Sequence, residues 1–129
     1  LVLGNLDAKR DWGVAGDYVE AMHLMLQAES PDDYVVSTGE THSVREFVEV
    51  TLKFAGIDFE WRGDGVDTVA IAKDSGKEIV VCSKDFYRPA EVDLLLGDCS
   101  KATKKLGWKP KTKFESLAEM MINYELNLE

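Results

Sequence analysis

A guanidinium and a carboxylate stand close together in one irregular stretch of the chain, residues 86–93 (FYRPAEVD). Arg88 precedes Glu91 by three residues, and Pro89 restricts the backbone of Arg88 to extended conformations. A guanidinium makes bidentate, charge-assisted hydrogen bonds to phosphate, and a carboxylate accepts hydrogen bonds from vicinal hydroxyls. This spacing indicates a site in which Arg88 holds a phosphate and Glu91 accepts from a ribose. The alternative is a surface ion pair between the two side chains, which would contribute little to stability.

A second arginine lies near the start of the chain, in residues 5–13 (NLDAKRDWG). This stretch follows a predicted strand and precedes a predicted helix. In α/β sheets ligands bind beyond the carboxyl ends of the strands, which is where such a loop lies. Arg10 is therefore a candidate ligand-binding residue. The alternative is that an arginine between Lys9 and Asp11 is solvated or structural.

Helices and short strands that alternate along the chain must position these two stretches. Apolar residues at helical spacing predict four helices, over residues 14–27, 44–55, 99–106 and 113–128. Short apolar runs predict strands over residues 1–6, 34–38, 57–61 and 77–82, with an exposed excursion or hairpin over 62–79. Residues 34–38 are apolar for three positions in succession, which is typical of an interior strand of a parallel sheet. The predicted fold class is α/β, with too few strands for a complete doubly wound sheet.

The helix ends carry their own signals. Ser43 and Glu46 predict a capping box at the start of the second helix, and Thr112 and Glu115 predict another at the start of the fourth. Asp98 is the expected cap of the third helix. The residues expected in the core include Val35, Phe47, Leu106 and Leu117.

Composition and charge exclude several classes of protein. The net charge of −9 over 129 residues argues against a nucleic-acid binder, which needs a basic face. No apolar run approaches the roughly 18 residues that a transmembrane helix needs, so no membrane partner is expected. The two cysteines are far apart, which favours reduced thiols in a cytoplasmic protein, and the histidines show no metal-ligand spacing. The chain opens on an apolar stretch without an initiator Met, and we expect it to be a fragment.

Several segments, in order along nearly the whole chain, resemble the GDP-mannose 4,6-dehydratase family of extended short-chain dehydrogenases/reductases. The most specific is LGNLDAKRDWG at 3–13. The others are DYVEAM at 17–22, TGE at 38–40, SVREF at 43–47, YRPAEVD at 87–93, LGD at 96–98 and LGWKP at 106–110.

The resemblance implies that residues 1–129 are the C-terminal, substrate-binding portion of an extended Rossmann-type nucleotide-sugar enzyme, without its N-terminal NADP-binding and catalytic portion. Such lyases convert GDP-mannose to GDP-4-keto-6-deoxymannose, a precursor of GDP-fucose, with bound NADP. By resemblance, Arg10 and Arg88 hold the GDP diphosphate and Glu91 contacts the ribose. The implied partners are GDP-mannose, the N-terminal portion of the same enzyme and further copies in a homo-oligomer.

The chain itself carries no predicted catalytic or cofactor-binding residue. The family's hydride chemistry uses a Tyr-x-x-x-Lys pair, and no tyrosine here has a lysine four positions later. The sequence Gly63-Asp64-Gly65 lacks the third glycine of a dinucleotide-binding loop, because Thr68 stands there. Two alternatives to the dehydratase stay open: a related nucleotide-sugar epimerase or reductase, and a non-catalytic module that binds nucleotide or another protein.

Overall fold

Within residues 1–88 and 90–127, which the computed structural model describes, the chain forms four helices and six short strands. The helices are α1 (Ala15–Leu26), α2 (Val44–Phe54), α3 (Ser100–Leu106) and α4 (Phe114–Leu126). The strands are β1 (Val2–Leu3), β2 (Lys9–Arg10), β3 (His42–Ser43), β4 (Phe59–Arg62), β5 (Val69–Ala72) and β6 (Glu78–Cys82). The predicted α/β class with four helices and short strands is confirmed.

One four-stranded sheet, in the order β1-β6-β5-β4, forms the first half of the core. Strands β4, β5 and β6 are antiparallel neighbours, whereas β1 pairs in parallel with β6. Their alternating side chains pack against α2, where Val48, Ala70 and Val80 form a buried cluster. Residues 62–79, predicted as an excursion or hairpin, are a hairpin whose strand β5 buries Ala70 completely.

A helical cluster forms the second half of the core. Ala21 of α1, Ala102 of α3 and Trp108 are at most 1% exposed and pack together. The Trp108 Nε1–H donates to the carbonyl of Asp17 at 2.8 Å, so the indole is both buried and satisfied. The Asp17 carboxylate accepts the amides of Lys111 and Thr112, each at 2.9 Å. The connection between α3 and α4 is thereby tied to α1.

The capping box at α2 is confirmed: Ser43 Oγ accepts the Glu46 amide at 3.1 Å, and Glu46 accepts the Ser43 amide at 2.7 Å. The capping box predicted at α4 is wrong. Lys113 is the cap residue, and its ammonium has no acceptor for a helix amide, while Thr112 lies one residue earlier with its amide donating to Asp17. Helix α3 begins at Ser100, whose amide donates to Asp98 at 2.9 Å, and the residue at its cap position is Cys99.

The strand predicted over 34–38 is also wrong. No strand of the described residues pairs with it, and Val35, expected in the core, is 53% exposed. A strand needs a hydrogen-bonded neighbour, and here the amide of Thr38 donates to the side chain of Asp11. Of the other expected core residues, Leu117 is buried, whereas Phe47 and Leu106 are half-buried. Leu128, the predicted end of the last helix, lies outside the described residues.

Candidate functional site

Strand β2 brings the two predicted ligand-binding stretches together. One of its edges pairs with β3, and the other lies beside Leu94 in the segment that follows Glu91. The amide of Lys9 donates to the carbonyl of Asp93 at 2.8 Å, and the amide of Leu95 donates to the carbonyl of Lys9 at 3.0 Å. A backbone register therefore fixes where Glu91 lies relative to Arg10.

The Arg10 side chain contacts the same segment. Its Nη1 donates to the carbonyls of Lys9 at 2.8 Å and Val92 at 2.7 Å, and its Nη2 donates to Glu91 Oε1 in an ion pair. The side chains of Arg10 and Glu91 are 25% and 20% exposed. The structure thus joins two of the three predicted site residues, which stand 81 positions apart in the chain.

The next residue, Asp11, accepts hydrogen bonds from three further residues around the site. Its Oδ1 accepts the amide of Thr38 at 2.7 Å and the hydroxyl of the same residue at 2.5 Å. Its Oδ2 accepts the amides of Gly39 at 3.0 Å and Gly97 at 3.2 Å. Burial raises the pKa of the Asp11 carboxyl, but these hydrogen bonds outweigh it and the pKa lies below its usual value. Sequence reasoning missed this residue, whose only signal was its place beside Arg10.

The first half of the loop is fixed to the start of α2. The amides of Val44 and Arg45 donate to the carbonyls of Ala8 at 3.1 Å and Leu6 at 2.9 Å. The Arg45 side chain pairs with Asp7 at 3.3 Å. Because the first amides of a helix have no intrahelical acceptor, these bonds satisfy α2 and immobilise the residues that lead to Arg10.

Arg88 is exposed, and within residues 1–88 and 90–127 its side chain makes no hydrogen bond or ion pair. The ion pair considered between Arg88 and Glu91 is therefore not formed: Glu91 pairs with Arg10. The segment before Arg88 passes close to β1, because a Cβ added to Gly4 would stand 2.2 Å from the carbonyl oxygen of Phe86. Pro89, expected to restrict Arg88, lies outside the described residues.

The turn at Gly63 and Gly65 does not have the geometry of a dinucleotide-binding loop. Gly63 and Gly65 have φ of 76° and 55° and form a tight turn after β4, where a Cβ on Gly63 would stand 2.2 Å from the Asp67 carbonyl oxygen. That turn leads into a single 3₁₀ turn rather than a helix of the dinucleotide-binding type.

Across the part of the chain that the structure describes, no group of three or more His, Cys, Asp or Glu residues is placed to hold a metal ion. Nor does any described helix combine the length and apolar character needed to cross a bilayer.

Comparison with known proteins identifies the family. Residues 1–121 match the family model described as GDP-mannose 4,6 dehydratase. The chain belongs to this family. It is 53% identical over 126 residues to the GDP-mannose 4,6 dehydratase of Drosophila melanogaster and 52% identical over 126 residues to that of Homo sapiens. These matches cover 98% of the chain but only 32% and 34% of the relatives, so it spans about a third of their length.

Two solved structures share the fold over nearly the whole chain. RMD from Pseudomonas aeruginosa, complexed with NADPH, superposes with a TM-score of 0.72 at 20% identity, over 95% of this chain and 34% of that one. A UDP-glucose 4-epimerase from Thermotoga maritima with UDP-glucose gives a TM-score of 0.72 at 20% identity, over 98% of this chain and 35% of that one. At these identities the likeness shows the fold alone, an α/β arrangement that this chain shares with about a third of each of those chains.

Proposed function

We propose that this chain is the C-terminal, substrate-binding portion of a GDP-mannose 4,6-dehydratase, an NADP-dependent lyase that converts GDP-mannose to GDP-4-keto-6-deoxymannose. The observation that carries the proposal is the meeting of Arg10 with the segment of Arg88 and Glu91, in a chain that belongs to this family. The segment that resembles the family most specifically, residues 3–13, contains Arg10, and the fold brings it against the segment of Glu91. Epimerases share the fold at low identity, which does not favour them over the dehydratase.

In this proposal the site holds the GDP part of the substrate. Arg88, exposed on the segment, binds the diphosphate, and Arg10 contributes N–H groups that its protein contacts leave available. Glu91 accepts hydrogen bonds from the ribose hydroxyls through Oε2, since Oε1 already accepts from Arg10. Two local cations suit a diphosphate even in a chain with a net charge of −9.

When bound, NADP supplies the hydride acceptor and donor, and the residues that bind it belong to the rest of the enzyme. The residues of this chain bind and orient. By fixing the diphosphate and ribose, they place the hexose relative to the nicotinamide, and positioning of this kind lowers the barrier without a chemical step on their part. On this basis the chain by itself is inactive.

The rest of the enzyme is the proposed partner of an apolar surface on the helical side. This surface is lined by Phe47, Leu117, Met120, Met121 and Tyr124. Met121 and Tyr124 are 53% and 65% exposed, and contiguous exposed apolar side chains are typical of contact surfaces. The proposal includes a homo-oligomer of the intact enzyme in the cytoplasm, acting in the synthesis of GDP-fucose and related deoxysugars.

The test uses the native gene product that contains this chain. Its intact mass should be about three times the 14.4 kDa of this chain, given that the chain covers 32% of its Drosophila relative. With NADP, the product should turn GDP-mannose into GDP-4-keto-6-deoxymannose, which mass spectrometry identifies by the loss of water. A native product of 14.4 kDa with no turnover would support the non-catalytic module instead.

A substitution tests the site directly. Arg88→Ala in the native product should lower kcat/KM for GDP-mannose at least roughly tenfold, because one charge-assisted hydrogen bond to phosphate is worth about 1.5 kcal/mol or more. The matched control is Arg62→Ala, which removes an exposed arginine of β4 that pairs with Glu60. Unchanged kinetics in Arg88→Ala, with the control also unchanged, would remove Arg88 from the site.

A further inference from the structure

Most of the hydrogen-bonding capacity of Arg10 is already in use within the protein. A guanidinium has five N–H donors. Two on Nη1 reach the carbonyls of Lys9 and Val92, and one on Nη2 reaches Glu91. All three of these bonds fix Arg10 against its own strand and the segment that carries Glu91. This is the geometry of a residue that holds another residue in place.

Three consecutive residues, Lys9, Arg10 and Asp11, form hydrogen bonds to that segment. The backbone of Lys9 bonds to residues 93 and 95, the side chain of Arg10 to residues 91 and 92, and the side chain of Asp11 to residue 97. Between these points most side chains of the segment are exposed, including Val92 at 53% and Leu95 at 49%. Apolar packing therefore contributes little to its position. Within the described residues, the Arg10 pair is the contact that sets the direction of the Glu91 side chain.

From this arrangement we propose that Arg10 is a positioning residue for Glu91. It holds the Glu91 carboxylate in the orientation that accepts the ribose hydroxyls, and it therefore governs recognition of the ribose more than recognition of the diphosphate. The inference rests on the proposed function. It differs from the simplest version of that proposal, in which Arg10 and Arg88 both act as ligands of the diphosphate.

Binding measurements on the native gene product separate the two tasks. The affinity ratio of GDP to 2′,3′-dideoxy-GDP reports ribose recognition, and the ratio of GDP to GMP reports recognition of the second phosphate. Isothermal titration calorimetry gives both ratios for the wild type, Arg10→Gln, Glu91→Gln and the double variant. Arg62→Gln is the matched control, since it removes an arginine whose partner, Glu60, lies outside the site.

We expect the wild type to favour GDP over its dideoxy analogue roughly tenfold, because one buried charge-assisted hydrogen bond is worth about 1.4 kcal/mol or more. Arg10→Gln should reduce this ribose ratio to within about threefold of unity and leave the GDP-to-GMP ratio within about threefold of its wild-type value. Because Arg10 acts through Glu91, the double variant should show no larger loss of the ribose ratio than either single variant. A role in general stability would instead change both ratios together.

Arg10→Lys keeps a cation but not the planar fork, so it should lose part of the ribose ratio, and it provides a second test if Arg10→Gln fails to fold. A wild-type ribose ratio in folded Arg10→Gln or Arg10→Lys, with a reduced GDP-to-GMP ratio, would overturn the inference and make Arg10 a diphosphate ligand. A wild-type protein that does not bind GDP, or does not distinguish its dideoxy analogue, would contradict the proposed function and this inference with it.

Discussion

Two irregular stretches of the molecule, residues 83–97 and 107–113, are both held by residues near the start of α1, yet they differ in what covers them. In 107–113 the indole of Trp108 is 1% exposed, and the Asp17 carboxylate accepts two backbone amides. In the described residues 83–88 and 90–97, large apolar side chains remain exposed, and the backbone is fixed at a few separate points by Lys9, Arg10 and Asp11. The first stretch completes the core. The second leaves polar groups exposed, and this exposure is what suits it to the proposed binding role.

The largest difference should appear between two aromatic truncations. Trp108→Ala removes a fully buried indole and its hydrogen bond to Asp17, and should lower the free energy of unfolding by about 3–5 kcal/mol. Phe86→Ala, in the exposed stretch, removes a side chain that is 60% exposed and should change the free energy of unfolding by less than about 0.5 kcal/mol. Urea unfolding followed by circular dichroism measures both. Equal losses would mean that residues 83–97 belong to the core as much as 107–113.

An intermediate effect is expected at the carboxylate that ties down 107–113. Asp17→Ala leaves the amides of Lys111 and Thr112 without their acceptor and should cost on the order of 3 kcal/mol, because hydrogen bonds to a charged group contribute about 1.5–3 kcal/mol each. The control is Asp33→Ala, an exposed carboxylate that accepts no side-chain hydrogen bond from the described residues, for which less than about 0.5 kcal/mol is expected.

The same carboxylate makes stability depend on pH. Burial raises the pKa of Asp17, but the amide bonds from Thr112 and Lys111 outweigh it, so the folded-state pKa lies below the reference value of 3.8. The unfolded chain therefore binds more protons in acid, and this contribution is present above the unfolded pKa and lost as the pH falls through the folded one. The stability gap between wild type and Asp17→Asn should accordingly narrow between pH 7 and pH about 3. A gap that widens in acid would contradict the sign of this shift.

The smallest effect should come from the end of the exposed stretch. A Cβ on Gly97 would stand 2.3 Å from the Cβ of Ser37, so Gly97→Ala must displace the point at which Asp11 holds the segment. We expect a cost of about 1–2 kcal/mol and faster amide exchange in 91–97 than in 107–113. In the control, Gly16→Ala, the added Cβ meets nothing within 4 Å, and the protein should gain up to about 1 kcal/mol. Equal acceleration in both stretches would show that they are not held independently.

Local signals in the sequence predicted the helices, because caps and stops act over a few residues. The box of Ser43 and Glu46 begins α2 where expected, and Gly107, with φ of 69°, ends α3. The same signal gave a wrong prediction at Thr112, because the distant carboxylate of Asp17 forms a hydrogen bond with that residue. The strand prediction for residues 34–38 was wrong for a related reason. An apolar run shows that a segment favours an extended backbone, but not whether a neighbouring strand is present to pair with it.

The candidate site was predictable as a set of residue types but not as an arrangement. The sequence singled out Arg10, Arg88 and Glu91, and the nearest pairing it offered was between Arg88 and Glu91. The pairing that forms, between Arg10 and Glu91, depends on the backbone register of β2 with residues 93–95, which no local pattern encodes. Asp11 escaped notice because an aspartate in a polar loop is ordinary until the amides of Thr38, Gly39 and Gly97 converge on it.

The bond from Arg10 to the carbonyl of Val92 spans 82 positions of the chain, and that separation places the site late in the order of folding. Closing a long loop costs entropy that only the completed sheet can offset, whereas the capping box of α2 needs a handful of neighbouring residues. A chain emerging from the ribosome can form α1 and α2 while residues 91–97 are still unsynthesised. The candidate site of Arg10 and Glu91 can therefore form only after residues 91–97 have been synthesised.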